Sequence, residues 1–400
     1  MKKVLLTAMA IVTLASASAF GMYGSDSSWI DFLVHGNQFR ARMNQLGFTL
    51  GNGTIKGTFG FKSENGGVAT LIKETQTLGD RGYVFIPTVS AGIGYTSDMI
   101  GIGLGYSYTL SPNTLPYNEY KGGADYIYKV KHLSVHTPVL TVNALNNNLR
   151  IAIPISVAVQ DVYKTTESKA RSTYVGVSTE TQIRYYTGID AFSLVRLYLK
   201  YGNNSFNAYD QDGKKLKGDE YKQVVSSFGF DLRLFFLKTT IGDVLLDPFI
   251  KITFDTALDA KGKTLNGTDH YALTKVSADS VIEGMYKPQA GDPSAIYDSN
   301  PYVLQILPSL GLNASSDIVT LYLEPSIGYR ARHNGLKSSK VEHALRWNAY
   351  GEIYITPVKD LEWYFEAEVG NDPYAASAST VAFNASTGIT WYLPSLNGAE

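Results

Sequence analysis

The chain has 400 residues, with 35 basic and 36 acidic side chains, a formal net charge of −1, 44% hydrophobic residues and no cysteine. That balance offers no basic footprint for nucleic acid, no disulfide framework and no lipid-attachment thiol. Beyond the N-terminus no run of about 18 apolar residues occurs, which excludes a bundle of spanning helices.

Met1 to Ala19 reads as a secretory signal peptide, because Lys2 and Lys3 precede the apolar run Val4 to Leu14 and small residues stand at Ala17 and Ala19. Cleavage is expected after Ala19, with Gly21 as the alternative. Removing Lys2 and Lys3 leaves 33 basic against 36 acidic residues, a net charge of −3.

Residues 20–52 are expected to form a helical segment, periplasmic or luminal. Trp29, Phe32, Leu33, Gly36, Phe39, Met43 and Leu46 recur at spacings of three and four, which is helical periodicity. Asp26 or Ser27 is placed to cap it and Gly47 to end it. Such an amphipathic helix packs against one end of the fold or inside it, and a gate or plug is the functional alternative.

From residue 53 to 393 the period changes to two. Ile100 to Leu110 is the clearest instance: Ile100, Ile102, Leu104, Tyr106, Tyr108 and Leu110 fall on one side of an extended chain, and Gly101, Gly103, Gly105, Ser107 and Thr109 on the other. Its length suits a tilted strand crossing a bilayer, which takes roughly 9 to 11 residues. Comparable runs occupy Gly53 to Phe61, Tyr83 to Tyr95, His132 to Leu145, Leu149 to Tyr163, Tyr174 to Tyr186, Phe192 to Tyr201, Lys222 to Leu237, Val244 to Phe254, Tyr302 to Ala314, Ile318 to Arg330, Leu345 to Ile355, Leu361 to Val369 and Thr380 to Leu393. Short turns such as Asn146-Asn147-Asn148 alternate with long polar loops, the longest being Asp255 to Pro301. The pattern predicts an all-β fold, a transmembrane antiparallel up-and-down β-barrel of about 14 strands, with short turns toward the periplasm and long loops toward the exterior. Two further strands drawn from Trp29 to Val34 and Gln38 to Leu50 would give 16. Pro154, Pro248, Pro308 and Pro325 each remove a ladder donor and mark bulges, and Tyr95, Tyr201, Tyr329, Trp347, Trp363 and Trp391 suit aromatic girdles. Residues 394–400 form a tail.

If the apolar parity faces lipid, the other parity lines a lumen. Glu180, Arg184, Arg196, Lys200, Asp231, Arg233, Asp247 and Lys251 then form an arc that leans basic, and Glu324, Glu352, Glu362, Glu366 and Glu368 one that leans acidic, accompanied by Arg330, Arg346, Tyr350, Tyr354 and Tyr364. Arcs opposed across a lumen would set up a transverse field acting on small hydrophilic solutes. The plainer expectation is that the charges pair with neighbours on adjacent strands.

Patterns for chemistry are weak. Six histidines include no pair at helix-ligand spacing, which argues against a metal site or cofactor. Ser134 and His136 point side by side along one strand and make a poor nucleophile pair. Asp210-Gln211-Asp212-Gly213 opens like a calcium loop but continues into Lys214-Lys215, and the glycine runs lack a strand-turn-helix context. No enzymatic activity is expected.

Ser28-Trp29-Ile30-Asp31-Phe32-Leu33-Val34-His35-Gly36-Asn37-Gln38-Phe39-Arg40-Ala41-Arg42-Met43 and Leu50-Gly51-Asn52-Gly53-Thr54-Ile55-Lys56-Gly57-Thr58-Phe59-Gly60-Phe61 resemble the variable surface proteins of spirochaete outer membranes. The resemblance implies an abundant surface protein with antigenic variation in exposed loops, and transfers no catalytic residue. Its chain end departs from the barrel habit of a terminal aromatic, since Leu393 to Glu400 follow Trp391-Tyr392. The expected function is a porin-like passive channel for small hydrophilic solutes; the alternatives are an occluded coat protein or adhesin acting through its long loops, and, least suited to a charged inner face, hydrophobic-solute uptake. Expected partners are outer-membrane lipid, barrel assembly machinery, further copies of itself and host immune or surface molecules.

Overall fold

The computed structural model describes residues 29–42, 45–63, 87–111, 128–130, 133–164, 171–209, 212–215, 226–262, 297–337, 339–371 and 381–393. The expected signal peptide, Met43, most of the long loops and the 394–400 tail lie outside the described residues. Within them the chain forms one antiparallel sheet of nineteen strand segments. In chain order these are β1 (Gln38–Arg42), β2 (Gln45–Gly51), β3 (Ile55–Ser63), β4 (Pro87–Thr96), β5 (Gly101–Ser111), β6 (Tyr128–Val130), β7 (Leu133–Ala144), β8 (Leu149–Pro154), β9 (Ser156–Lys164) and β10 (Arg171–Ile189), followed by β11 (Phe192–Tyr209), β12 (Ser226–Phe236), β13 (Thr239–Ile241), β14 (Val244–Ala257), β15 (Tyr302–Ser315), β16 (Val319–His333), β17 (Glu342–Val358), β18 (Leu361–Asn371) and β19 (Val381–Leu393).

Three of the nineteen segments continue a neighbour. β6 runs along β9 beyond the start of β7, β8 and β9 are one stave broken at Ile155, and β13 carries the β12 stave to its turn. Sixteen staves remain, two more than the alternation predicts. The extra pair is β1 and β2, which replace most of the expected helix. β1 pairs with β19 from Phe39 opposite Leu393 to Arg42 opposite Thr390, and with β2 on its other side, so the sheet closes on itself. Closure is what a bilayer requires, because an unpaired backbone group in hydrocarbon costs several kcal/mol.

The side chains are arranged inside out. Ile93 and Leu104 are both 62% exposed on the outer wall, whereas Asn143 and Thr390 are 0% exposed on the inner one. Hydroxyls form cross-strand pairs within: Thr88 with Thr109 and Ser90 with Ser107, each at 2.8 Å, and Thr137 with Ser156 at 2.9 Å. Aromatic rings ride outside, where Phe39, Phe48 and Phe59 stack in a row across β1, β2 and β3 at 6.2 and 5.9 Å. Phe39 is therefore a wall residue and not part of a plug.

Short turns cluster at one end, at residues 52–54, 97–100, 145–148, 190–191, 242–243, 316–318 and 359–360. At the Asn-rich turn Leu145, Asn146 and Asn147 take positive φ angles of 54°, 55° and 64°, a conformation asparagine tolerates. The prolines act unequally. Pro154 precedes the break at Ile155, and the β15–β16 ladder is interrupted between Ile306 and Ser309 and between Ser309 and Leu312, next to Pro308 and Pro325; Pro248 is accommodated in register opposite Leu310.

A cation placed on the outer wall should be costly. Leu104→Arg is expected to lower the unfolding free energy of the vesicle-embedded barrel by about 2–4 kcal/mol, measured by urea titration, while Ser107→Thr on the inner parity of the same strand changes it little. Equal effects would overturn the assignment of faces.

Candidate functional site

The inner wall is not bare. Residues 29–34 form tight turns, with the Phe32 N–H donating to the Trp29 carbonyl and the His35 N–H to the Asp31 carbonyl. Trp29, Ile30, Phe32 and Leu33 are buried with the inward Val139 and Ala152. The surface they press on is the glycine face of β4 and β5. A Cβ on Gly92 would lie 2.6 Å from the Trp29 ring, and one on Gly103 3.1 Å from both Phe32 and Leu33; Gly94 and Gly105 are closed off by Leu33 and Trp29 in the same way. The strand therefore gives up side chains on one face so that a folded-in segment can lie flush against its backbone.

Electrostatics fixes the segment's position. Arg150 reaches one oxygen of Asp31 at 2.8 Å and Arg184 the other at 2.7 Å. Lys56 Nζ donates to the His35 carbonyl at 2.6 Å, and Asn37 exchanges two hydrogen bonds with the Gly51 backbone. Burial raises the Asp31 pKa, but Arg184, His35 and Arg150 together outweigh it and hold the carboxyl below its usual range. Burial lowers that of His35, with Lys56, Arg150 and Arg40 adding repulsion and Asp31 only partly compensating. Of the residues expected in a plug helix, Trp29, Phe32 and Leu33 do line this luminal contact, although as turns.

The basic arc is largely neutralised from within. Arg233 grips Asp231 with two hydrogen bonds of 3.1 and 2.9 Å, and Lys251 approaches the same carboxylate at 3.8 Å. Arg196 lies 5.0 Å over the Phe235 ring, beside an inward apolar cluster of Leu194, Phe235 and Phe249. The acidic arc is held mostly by hydroxyls. Tyr322 donates to Glu324 at 2.7 Å, Tyr350 donates to Glu352, and Ser386 donates to Glu366 at 3.2 Å. Its Glu362 meets a cation, Arg42, at 3.8 Å. Arg42 and Arg40, over Tyr364 and Tyr392 respectively, are lumen residues that the helical periodicity hid.

The two arcs are neighbours and not opposed. β15 alone separates β14, which carries Lys251, from β16, which carries Glu324. Across that stave lies a cavity of about 200 Å³ lined by Lys200, Asp231, Lys251, Glu324, Arg346 and Glu368 among others. Arg346 is fixed there by donating to Gln305 at 3.0 Å and to Asn371.

The family model described as Serpulina hyodysenteriae variable surface protein matches residues 2–392. No curated protein matches the chain significantly. Among solved structures, it is similar to the FrpB iron transporter of Neisseria meningitidis, with 11% identity, a TM-score of 0.40 and coverage of 85% of this chain and 47% of the other. It is also similar to CdiB from Escherichia coli, at 10%, 0.43, 89% and 62%, and to the hemophore receptor HasR of Serratia marcescens, at 10%, 0.38, 90% and 61%. The chain thus spans about half to two thirds of the length of these structures.

Docking of the luminal segment is testable with a single engineered thiol, since the chain has no cysteine. In Val34→Cys protein, maleimide labelling should be slow, and at least tenfold faster when Gly105→Val removes the groove. Asp31→Asn should act likewise, because removing one member of a buried ion pair costs about 3–5 kcal/mol. Acid should loosen the segment. A lowered His35 pKa means that docking disfavours the imidazolium, so the contact weakens as pH falls below the usual histidine value of about 6.5. The Asp31 contribution is complete above the usual carboxylate value and disappears only as pH falls through the depressed one. Labelling normalised to a cysteine at exposed position 98 reads this, and a pH-independent ratio would refute it.

Proposed function

This chain belongs to the Serpulina hyodysenteriae variable surface protein family, and we propose that it acts as a surface-exposed, antigenically variable outer-membrane barrel whose lumen passes small hydrophilic solutes passively. The observation that carries the channel reading is the inner wall. A closed barrel of sixteen staves is of the size at which side chains cease to fill the interior and leave an aqueous channel. The described part of the docked segment lies against β4, β5, β7 and β8 and reaches β3 and β10 through Lys56 and Arg184, and the charged arcs on β10 to β18 keep partly exposed side chains on the inner parity.

The long loops, in this reading, face the exterior and carry the variable epitopes met by host immune or surface molecules, while the short turns face the periplasm. Outer-membrane lipid surrounds the wall, assembly machinery inserts it, and self-association through the outer wall is compatible with the same arrangement. No enzymatic role is proposed. The occluded coat or adhesin reading draws its support from the same N-terminal segment, which stands at the short-turn end of the lumen.

Conductance decides between them. Refolded protein in a planar bilayer should give discrete steps, with cations preferred because the acidic arc has few cationic partners. Glu366→Gln combined with Glu368→Gln should reduce the cation-to-anion permeability ratio at least twofold. Silence from protein shown to be folded by heat-modifiable gel migration would overturn the channel reading in favour of the occluded one.

A further inference from the structure

We infer that the cavity between the two charged arcs is a binding site for small zwitterions, of the class of free amino acids and short peptides, oriented with the carboxylate toward Lys200 and the ammonium toward Glu368. The inference deepens the channel reading and rests on it only for the route by which the solute arrives.

Lys200 and Glu368 line the same cavity from β11 and β18. Among the described residues no ion pair joins Lys200 or Glu368 to another side chain, although the Asp231 charge acts on Lys200 at a distance; Glu180 stands opposite Lys200 in the ladder. Two of the carboxylates around them have partners of their own. Asp231 is held by Arg233 and Lys251, and one oxygen of Glu324 accepts from Tyr322. The cavity thus presents, from different walls, a cation and an anion that form no ion pair with a described residue. A simple cation meets Lys200, Lys251 and Arg346 as well as the carboxylates, and a simple anion meets Asp231, Asp255, Glu324 and Glu368 as well as the cations. A solute carrying both charges satisfies both ends at once.

Size narrows the class further. A volume of about 200 Å³ lies below the roughly 300–1,000 Å³ of pockets that enclose drug-sized ligands. An amino acid or dipeptide fits it. The neutral donors and acceptors supplied by Thr253 and Ser309 on the intervening walls suit a peptide group between the charged ends.

The test uses the full chain refolded in detergent, so that binding is read without transport. Glycylglycine is titrated by calorimetry beside its N-acetylated and C-amidated forms. The intact zwitterion should bind at least tenfold more tightly than either capped form. Lys200→Gln should abolish the penalty for C-amidation and leave that for N-acetylation, and Glu368→Gln should do the converse; heat-modifiable migration confirms that each variant folds. Equal binding of all three peptides, no binding, or variants that lose both penalties together would overturn the site. A bilayer that conducts while glycylglycine fails to bind refutes the site alone, whereas binding by a non-conducting barrel refutes only the channel.

Discussion

Everything in this structure depends on the pairing of β1 with β19. Four registered residue pairs, from Phe39 with Leu393 to Arg42 with Thr390, turn an open sheet with two unsatisfied edges into a ring with none. In hydrocarbon there is no water to accept an orphan N–H, so an open sheet of this size has no stable alternative. Once the ring exists, the rest of the polarity follows. The apolar parity has lipid to face, and the polar parity has only the interior, where Ser, Thr, Asn and Gln side chains bond across strands and charged groups meet partners. The strand that completes the ring is also among the shortest, at five residues, and it is anchored from within: Arg42 donates to Thr390 at 2.8 Å and approaches Glu362.

The second organising feature is the glycine face of β4 and β5. In a strand, glycine forfeits packing and costs conformational entropy, so a run of alternate glycines is unfavourable unless something lies against the bared backbone. Here that is the Trp29 to Leu33 segment. The outward Ile93, Ile102 and Leu104 serve the lipid, and the inward glycines serve the segment, so a single alternating pattern answers two different apolar environments. The Asp31 pair with Arg150 and Arg184 then sets where along the groove the segment rests. Dispersion and the hydrophobic effect supply most of its attachment, and the ion pair supplies its register.

Much of this was legible in the sequence. Within the described residues each of the fourteen alternating runs between residues 53 and 393 is a strand, because side-chain period is a direct record of a wall with two unlike faces. The fourteen-strand expectation leaves out β1 and β2 for a local reason, although the sixteen-strand alternative places a strand over Gln38 to Leu50. Phe39, Met43 and Leu46 extend the helical spacing that begins genuinely at Trp29, and β1 and β2 are too short for alternation to outweigh it. Helical spacing therefore puts Arg40 and Arg42 on a helix, whereas their strand parity puts them in the lumen beside the acidic arc. The membership of the two arcs could be read from parity, but their adjacency needed the count of staves between them. The Asp31 contacts were beyond the sequence altogether, since 119 and 153 residues separate it from Arg150 and Arg184.

The distribution of partners among the luminal charges has a physical logic. Where a cation and an anion sit on one strand two residues apart, as Asp231 and Arg233 do, they share a face and pair at little entropic cost. Where a carboxylate has a tyrosine in that place, as with Tyr322 and Glu324 or Tyr350 and Glu352, a neutral donor satisfies one oxygen without supplying a counter-charge. β15 stands between these two regimes with Gln305 and Ser309 on its inner face, and it carries no charge there to neutralise either side. A polar but uncharged stave keeps the arcs from collapsing into ordinary ion pairs. Lys200 and Glu368 therefore both line the cavity between the arcs without being consumed in ion pairs that hold the wall together.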